Sequence, residues 1–259
     1  VPDHSSDADP AQSPAQPRTN APAPHADWRL GGRTVRPWRA RLLALALVSL
    51  GLGILAGALV QWLWPSPWAA ASGTALLWAG MLVPVVWALR RSRPAGLLRF
   101  RALDLLYGVA LGLLLRLVQG WIAQVGTGVA PFPSYATVDG RLAQTWWLTD
   151  VVAVVAIAPL VEEFFFRAVI LVAVFTILRR PFGHVAAGIS AVVVSAAAFV
   201  MLHSLLAPTT TDAVIATALL GAVCASLVML TGRIWVAVLV HAVFNATYVL
   251  LAIVGTFLV

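Results

Sequence analysis

Val151-Val-Ala-Val-Val-Ala-Ile-Ala-Pro-Leu-Val-Glu-Glu-Phe-Phe-Phe-Arg-Ala-Val-Ile170 decides the fold. An apolar run of this length is what a helix needs to cross a hydrocarbon core of about 30 Å. Glu162 and Glu163, in the middle of it, are the only glutamates among 259 residues. Two carboxylates and Arg167 inside one span would cost on the order of 8–10 kcal/mol if nothing paired with them. A cluster of this kind persists when it is paired, faces a wet cavity or performs chemistry.

The surrounding chain has the same character. Hydrophobic residues make up 61% of it and charged residues 10%; mean hydropathy is +0.90. Soluble domains are nearer half apolar and a quarter charged. The expected fold class is therefore all-α, a polytopic transmembrane helical bundle of about seven spans with an intramembrane catalytic cavity. The spans are read at 42–64, 68–89, 103–125, 147–178, 185–206, 212–231 and 234–257. They divide the chain into a disordered Pro/Ala-rich and Arg-rich tail (1–40), N-terminal transmembrane helices (41–146) and a catalytic transmembrane core (147–259). No cleavable signal segment is expected, because the first apolar run is too long for one.

All 17 basic residues are arginines. Fourteen of them (18, 29, 33, 36, 39, 41, 90, 91, 93, 99, 101, 179, 180 and 233) flank spans on the side shared with the N-terminus; only Arg141 flanks the other side. The positive-inside rule then puts the N-terminus in the cytoplasm. The arginines form no surface interleaved with aromatics, which argues against nucleic acid as a partner. Arginine-only basic usage in an Ala/Leu/Val-rich chain points to a high-GC bacterial source and a location in its cell membrane. Cys224, alone in an apolar run, reads as a small buried hydrophobe. Gly53/Gly57 and Gly108/Gly112 have the GxxxG spacing of close helix packing. Arg116 lies mid-span and is expected to snorkel or to find an acidic partner.

Polar residues recur on two later spans. Phe199 and His203 are four apart, as are His241 and Asn245, so each pair shares a helix face. Glu163 and Arg167 are also four apart, while Glu162 points about 100° away from Glu163. One carboxylate can pair with the arginine and the other can face a cavity. A desolvated glutamate, a histidine able to hold the same water, and a second histidine with an amide to receive a developing oxyanion are parts suited to amide hydrolysis. Each motif alone has a blander reading: a buried ion pair, an interfacial histidine, an interhelical hydrogen bond.

The three motifs in order resemble the CPBP family of intramembrane endopeptidases, which includes the type II CAAX prenyl proteases and the bacterial Abi and lysostaphin-resistance proteins. The resemblance covers about residues 147–255. It implies that Glu162 and His203 activate water, that Glu163 is held by Arg167, and that His241 and Asn245 stabilise the oxyanion, with Phe199 packing beside the site. The implied substrate is a membrane-associated or lipidated peptide or protein, with the lipid bilayer as surroundings. No cofactor is assured. Two histidines and a carboxylate from three helices can hold a divalent metal such as zinc, and metal-free glutamate chemistry is the favoured alternative. A proton-coupled transporter or a non-catalytic immunity or scaffold protein are the rival functions.

One expectation conflicts with a shared site. On these boundaries His203 lies about 27 Å beyond the inner end of its span and His241 about 10 Å beyond its own. The site requires an extended or tilted helix, or a loop 207–212 that dips into the membrane. A separation of more than about 12 Å between His203 and Glu162 would abolish it.

Overall fold

The computed structural model describes residues 27–128, 132–206 and 210–258. The Pro/Ala-rich part of the tail (1–26) and the centre of the 207–212 loop lie outside the described residues.

Helices account for nearly every element: α1 (Ala40–Leu63), α2 (Ala69–Arg91) and α3 (Ala102–Thr127), then a run from Trp147 to Leu206, then α6 (Thr211–Thr231) and α7 (Trp235–Phe257). Among the described residues, six helical runs are long and apolar enough to cross a membrane, and the fourth is 60 residues long. A straight helix of that length would measure about 90 Å, three times the hydrocarbon core. It bends back at Gly183, whose φ of 75° and ψ of 174° are non-helical and suit a residue without Cβ. Its arms, α4 (147–182) and α5 (184–206), then run antiparallel. Ser195 donates to the Phe166 carbonyl at 3.0 Å, and the Phe166 and Phe199 rings meet at 5.3 Å. Among the described residues the six runs thus form seven helical arms, close to the about seven spans expected.

Both GxxxG spacings are contact points. A Cβ on Gly57 would lie 2.7 Å from the Gly73 carbonyl oxygen, so the backbones of α1 and α2 touch where lipid offers no hydrophobic drive to association. Gly108 and Gly112 receive Leu239 and Val243 of α7 in the same way.

Residues 27–39, grouped with the disordered tail on composition, are instead packed. Two 3₁₀ turns, Trp28–Leu30 and Arg33–Val35, bury Trp28, Val35 and Trp38. Three large apolar side chains within 11 residues outweigh the polar character of the arginines between them. The Trp28 Nε1–H donates to the Gly232 carbonyl at 3.0 Å, and its ring meets Phe175 edge-on at 5.7 Å. Arg29 donates to the Met229 carbonyl at 3.0 Å at the end of α6, where a cation also complements the helix dipole. Beneath the α6–α7 turn, Asp104 is fully buried; it caps α3 and pairs with Arg233 at 2.6 Å. These contacts gather segments 27–39, 92–101 and 231–234 on one face. The opposite face joins the α7 end to the 132–146 loop through Thr256, which accepts from the Tyr135 N–H at 2.8 Å.

Among the described residues Arg116 has no ion pair. It donates to the Phe244 carbonyl at 2.5 Å and to Gln119, and its guanidinium lies 3.8 Å from the Phe244 ring centroid. Cys224 is buried, as its apolar surroundings suggest.

Candidate active site

The helix carrying the glutamates is irregular where they sit. Trp147–Ile157 and Phe164–Leu171 are π-helical, and six α-helical residues, Ala158–Glu163, lie between them. π-Helical turns are uncommon and recur at functional sites, because the wider i→i+5 ladder redirects side chains and carbonyls. Neighbouring helices take up two of those carbonyls: Asn245 Nδ2 donates to Val154 O at 2.8 Å, and Ser195 Oγ to Phe166 O.

The two glutamates have different surroundings, as their helical offset implied. Glu163 is fully buried. Its Oε2 lies 3.1 Å from Arg167 Nε, and its Oε1 lies 3.0 Å from His241 Nδ1. Arg167, also fully buried, donates from Nη2 to the Gly221 carbonyl at 3.2 Å and sits over the Phe199 ring at 4.6 Å. Glu163 therefore ties α4 to α7 as well as to its own arginine, a link that helical spacing could not reveal.

Glu162 faces the histidines. Its Oε2 is 3.8 Å from His203 Nε2 and 3.9 Å from His241 Nε2. That oxygen is buried without a direct hydrogen bond. His203 Nδ1 lies 2.9 Å from the Phe199 carbonyl, which can only accept, so Nδ1 carries a proton and, in the neutral ring, Nε2 presents a lone pair. The Phe199 ring is shared: its centroid is 4.3 Å from that of His203 and 5.6 Å from that of His241.

Glu162, Glu163, Arg167, Phe199, His203 and His241 are thus brought together. Asn245, one turn beyond His241, has one N–H engaged by Val154, so only the other is available to a substrate. The depth conflict at His203 is resolved by two features. Trp28 touches both Phe175 and Gly232, which puts residues 176–183 beyond the level of the α6–α7 turn. Side chains also lean toward a helix N-terminus, and His203 leans back over Phe199, about one turn nearer that end. Sequence reading missed Ser195, although it lies four and eight residues before Phe199 and His203 and so shares their face.

A divalent metal is a poor fit to the side chains as they stand. Two ligands of a tetrahedral zinc with bonds of about 2.0–2.1 Å lie about 3.3 Å apart, closer than either Nε2···Oε2 separation. Among the described residues no group of three or more His, Cys, Asp or Glu has metal-site geometry.

Residues 144–247 match the family model described as Type II CAAX prenyl endopeptidase Rce1-like. That segment runs from the start of α4 through Asn245 and so contains every residue of the cluster. The family is one of proteases, and it is the one the motifs resemble. Neither a curated protein nor a solved structure matches the chain. The apolar helices and the family together make this a multi-pass membrane protein.

Proposed function

We propose that the protein is an intramembrane endopeptidase that hydrolyses a peptide bond in a membrane-associated or lipidated peptide, in a cell membrane, with the N-terminus in the cytoplasm. The observation that carries this reading is the convergence of three helices on Glu162 Oε2, with His203 Nε2 at 3.8 Å and His241 Nε2 at 3.9 Å from it. Those separations are too long for direct hydrogen bonds and suit one shared water.

The chemistry follows from the tautomers. A water donating to Glu162 and to the lone pair of His203 is polarised for attack. As its oxygen adds to the scissile carbonyl, its proton passes to Glu162, which later delivers it to the leaving amine. The developing oxyanion is received by His241 Nε2–H in the imidazolium form, with its Nδ1–H held by Glu163, and by the second N–H of Asn245. Glu162, Glu163, Arg167 and that imidazolium sum to zero charge, which suits a site at membrane depth. Glu163, Arg167 and Phe199 position the reacting groups. The family's name supplies prenylated CAAX peptides as one substrate class to try.

The test is cleavage of lipidated and transmembrane peptides by the purified protein in detergent. Wild type is expected to cut a subset, and Glu162→Gln, which keeps the shape and removes the base, is expected to cut none. A Glu162→Gln protein as active as wild type would exclude this mechanism.

A further inference from the structure

Arg116 is a membrane-embedded charge that lies outside the catalytic cluster. It sits on α3 about 21 Å from the start of that helix at the arginine-rich face. Trp121, five residues further on and 66% exposed, is of the type that anchors at the membrane–water interface. Arg116 then lies about 8 Å beneath that level. Two of its five N–H groups go to Gln119 and to the Phe244 carbonyl, and its guanidinium lies over the Phe244 ring, with the Tyr248 ring centroid 5.2 Å away. All of these partners are neutral. A cation at such a depth is costly until an anion meets it.

Two cavities meet at this side chain. One, of about 550 Å³, opens between α3, α7 and the 132–133 segment; Arg116, Gln119, Tyr248 and Asp212 line it. The other, of about 350 Å³, runs between α3 and α7 and reaches about one turn deeper, to Leu113 and Thr247; Arg116, Leu117 and Leu250 complete it. The Thr247 hydroxyl donates back to the Val243 carbonyl at 2.9 Å, so this groove is apolar apart from Arg116. Leu117 and Leu250 are 72% and 60% exposed, which leaves the groove open to the bilayer. Asp212 stands in the first turn of α6, at the arginine-poor face, and among the described residues it has no ion pair with Arg116 or any other base. From the membrane interior outward the order is therefore apolar groove, cation, carboxylate.

A phospholipid with an ethanolamine headgroup has the complementary order: acyl chain, phosphate, ammonium. We propose that the paired cavities between α3 and α7 bind such a lipid from the leaflet at the arginine-poor face. An acyl chain lies along Leu113, Leu117 and Leu250. The phosphate takes charge-assisted hydrogen bonds from the N–H groups of Arg116 that Gln119 and Phe244 leave free. The ammonium turns outward to Asp212, which can accept its hydrogen bonds. A choline headgroup has no N–H to offer that carboxylate, and a glycerol headgroup leaves it without a cation, so both are bound less well. No residue that lines either cavity belongs to the catalytic cluster, and the lipid is a bound partner and not a substrate.

Native mass spectrometry of the purified full chain in non-ionic detergent tests this. The protein is titrated in parallel with dioleoyl phosphatidylethanolamine, phosphatidylcholine and phosphatidylglycerol. One phosphatidylethanolamine per chain is expected, held about ten-fold more tightly than either other lipid, as one hydrogen-bonded charge pair provides. Arg116→Gln should weaken it by about ten-fold or more. That variant also loses the bond to the Phe244 carbonyl, so its thermal unfolding is measured alongside. Asp212→Asn breaks no hydrogen bond or ion pair among the described residues and is the second variant. It should bring phosphatidylethanolamine down to the level of phosphatidylcholine and leave phosphatidylcholine where it was. Free O-phosphoethanolamine in large excess should displace nothing; displacement would make the ligand a soluble headgroup and overturn the lipid assignment. No saturable binding, equal binding of the three lipids, or wild-type binding by folded Arg116→Gln or by Asp212→Asn overturns the proposal as well. No peptide enters the measurement, so none of these outcomes bears on the endopeptidase reading.

Discussion

Residues 147–160 and 165–175 belong to one helix, are similarly apolar and have different surroundings. The first stretch is π-helical over most of its length and partly exposed. The second, π-helical then α-helical, is buried by α5, α2, α1 and α6, with Trp28 against Phe175 at its end. Glu162 and Glu163 stand at the junction, and each takes the character of one side. Glu163 belongs to the packed region and is tied to Arg167 and His241. Glu162 belongs to the open region and faces only His203 and His241, at 3.8 and 3.9 Å. Adjacent residues of the same type thus acquire separate roles because the boundary between packed and open structure runs between them.

The largest expected effect lies on the open side. Glu162→Gln should lower kcat for peptide cleavage by about 10³-fold, within the range for loss of a positioned general base, with KM little changed. Its thermal unfolding in detergent should match wild type. If the unfolding temperature falls with activity, Glu162 is part of the packed region and the contrast between the glutamates is lost. On the packed side, Arg167→Ala should cost about 3–5 kcal/mol of stability, because it leaves Glu163 buried and uncompensated. Glu163→Gln should cost a similar amount, because it leaves the buried Arg167 guanidinium uncompensated.

Hydropathy and helical spacing made much of this legible before any coordinates. The all-helical polytopic fold, the pairing of Glu163 with Arg167 and the separate direction of Glu162 follow from apolar run lengths and the 100° step of the helix. The contrast along α4 does not. Lipid tails are as apolar as leucine, so a lipid-facing stretch and a buried one share a composition. The packing of residues 27–39 was hidden for a related reason: Trp28, Val35 and Trp38 are sparse among arginines, and only the fold shows that all three are buried, Trp28 against the α6–α7 turn. The Glu163–His241 contact joins residues 78 apart on different helices and leaves no periodic trace.

Paired truncations test the contrast directly. Phe166→Ala, in the packed stretch, should destabilise by about 3–5 kcal/mol through the cavity it leaves. Leu148→Ala, in the open stretch, should change stability by no more than about 0.5 kcal/mol, since lipid or detergent fills the space. Measured by reversible unfolding in mixed detergent, similar values for the two would mean that the open half is packed in the membrane and would remove that contrast.

The smallest expected effect is that of chelation. A metal bound by Glu162, His203 and His241 would clamp α4, α5 and α7 at the junction, joining the open half rigidly to the packed one. Their Nε2···Oε2 separations of 3.8 and 3.9 Å are wider than a tetrahedral zinc requires. With a shared water in place of a clamp, prolonged treatment with a strong chelator should change the cleavage rate by less than about two-fold and leave the unfolding temperature where it was. Activity lost on chelation and restored by added zinc would show that the three side chains close by about half an ångström around an ion. Glu162 would then be a ligand, and the general base would have to be sought elsewhere.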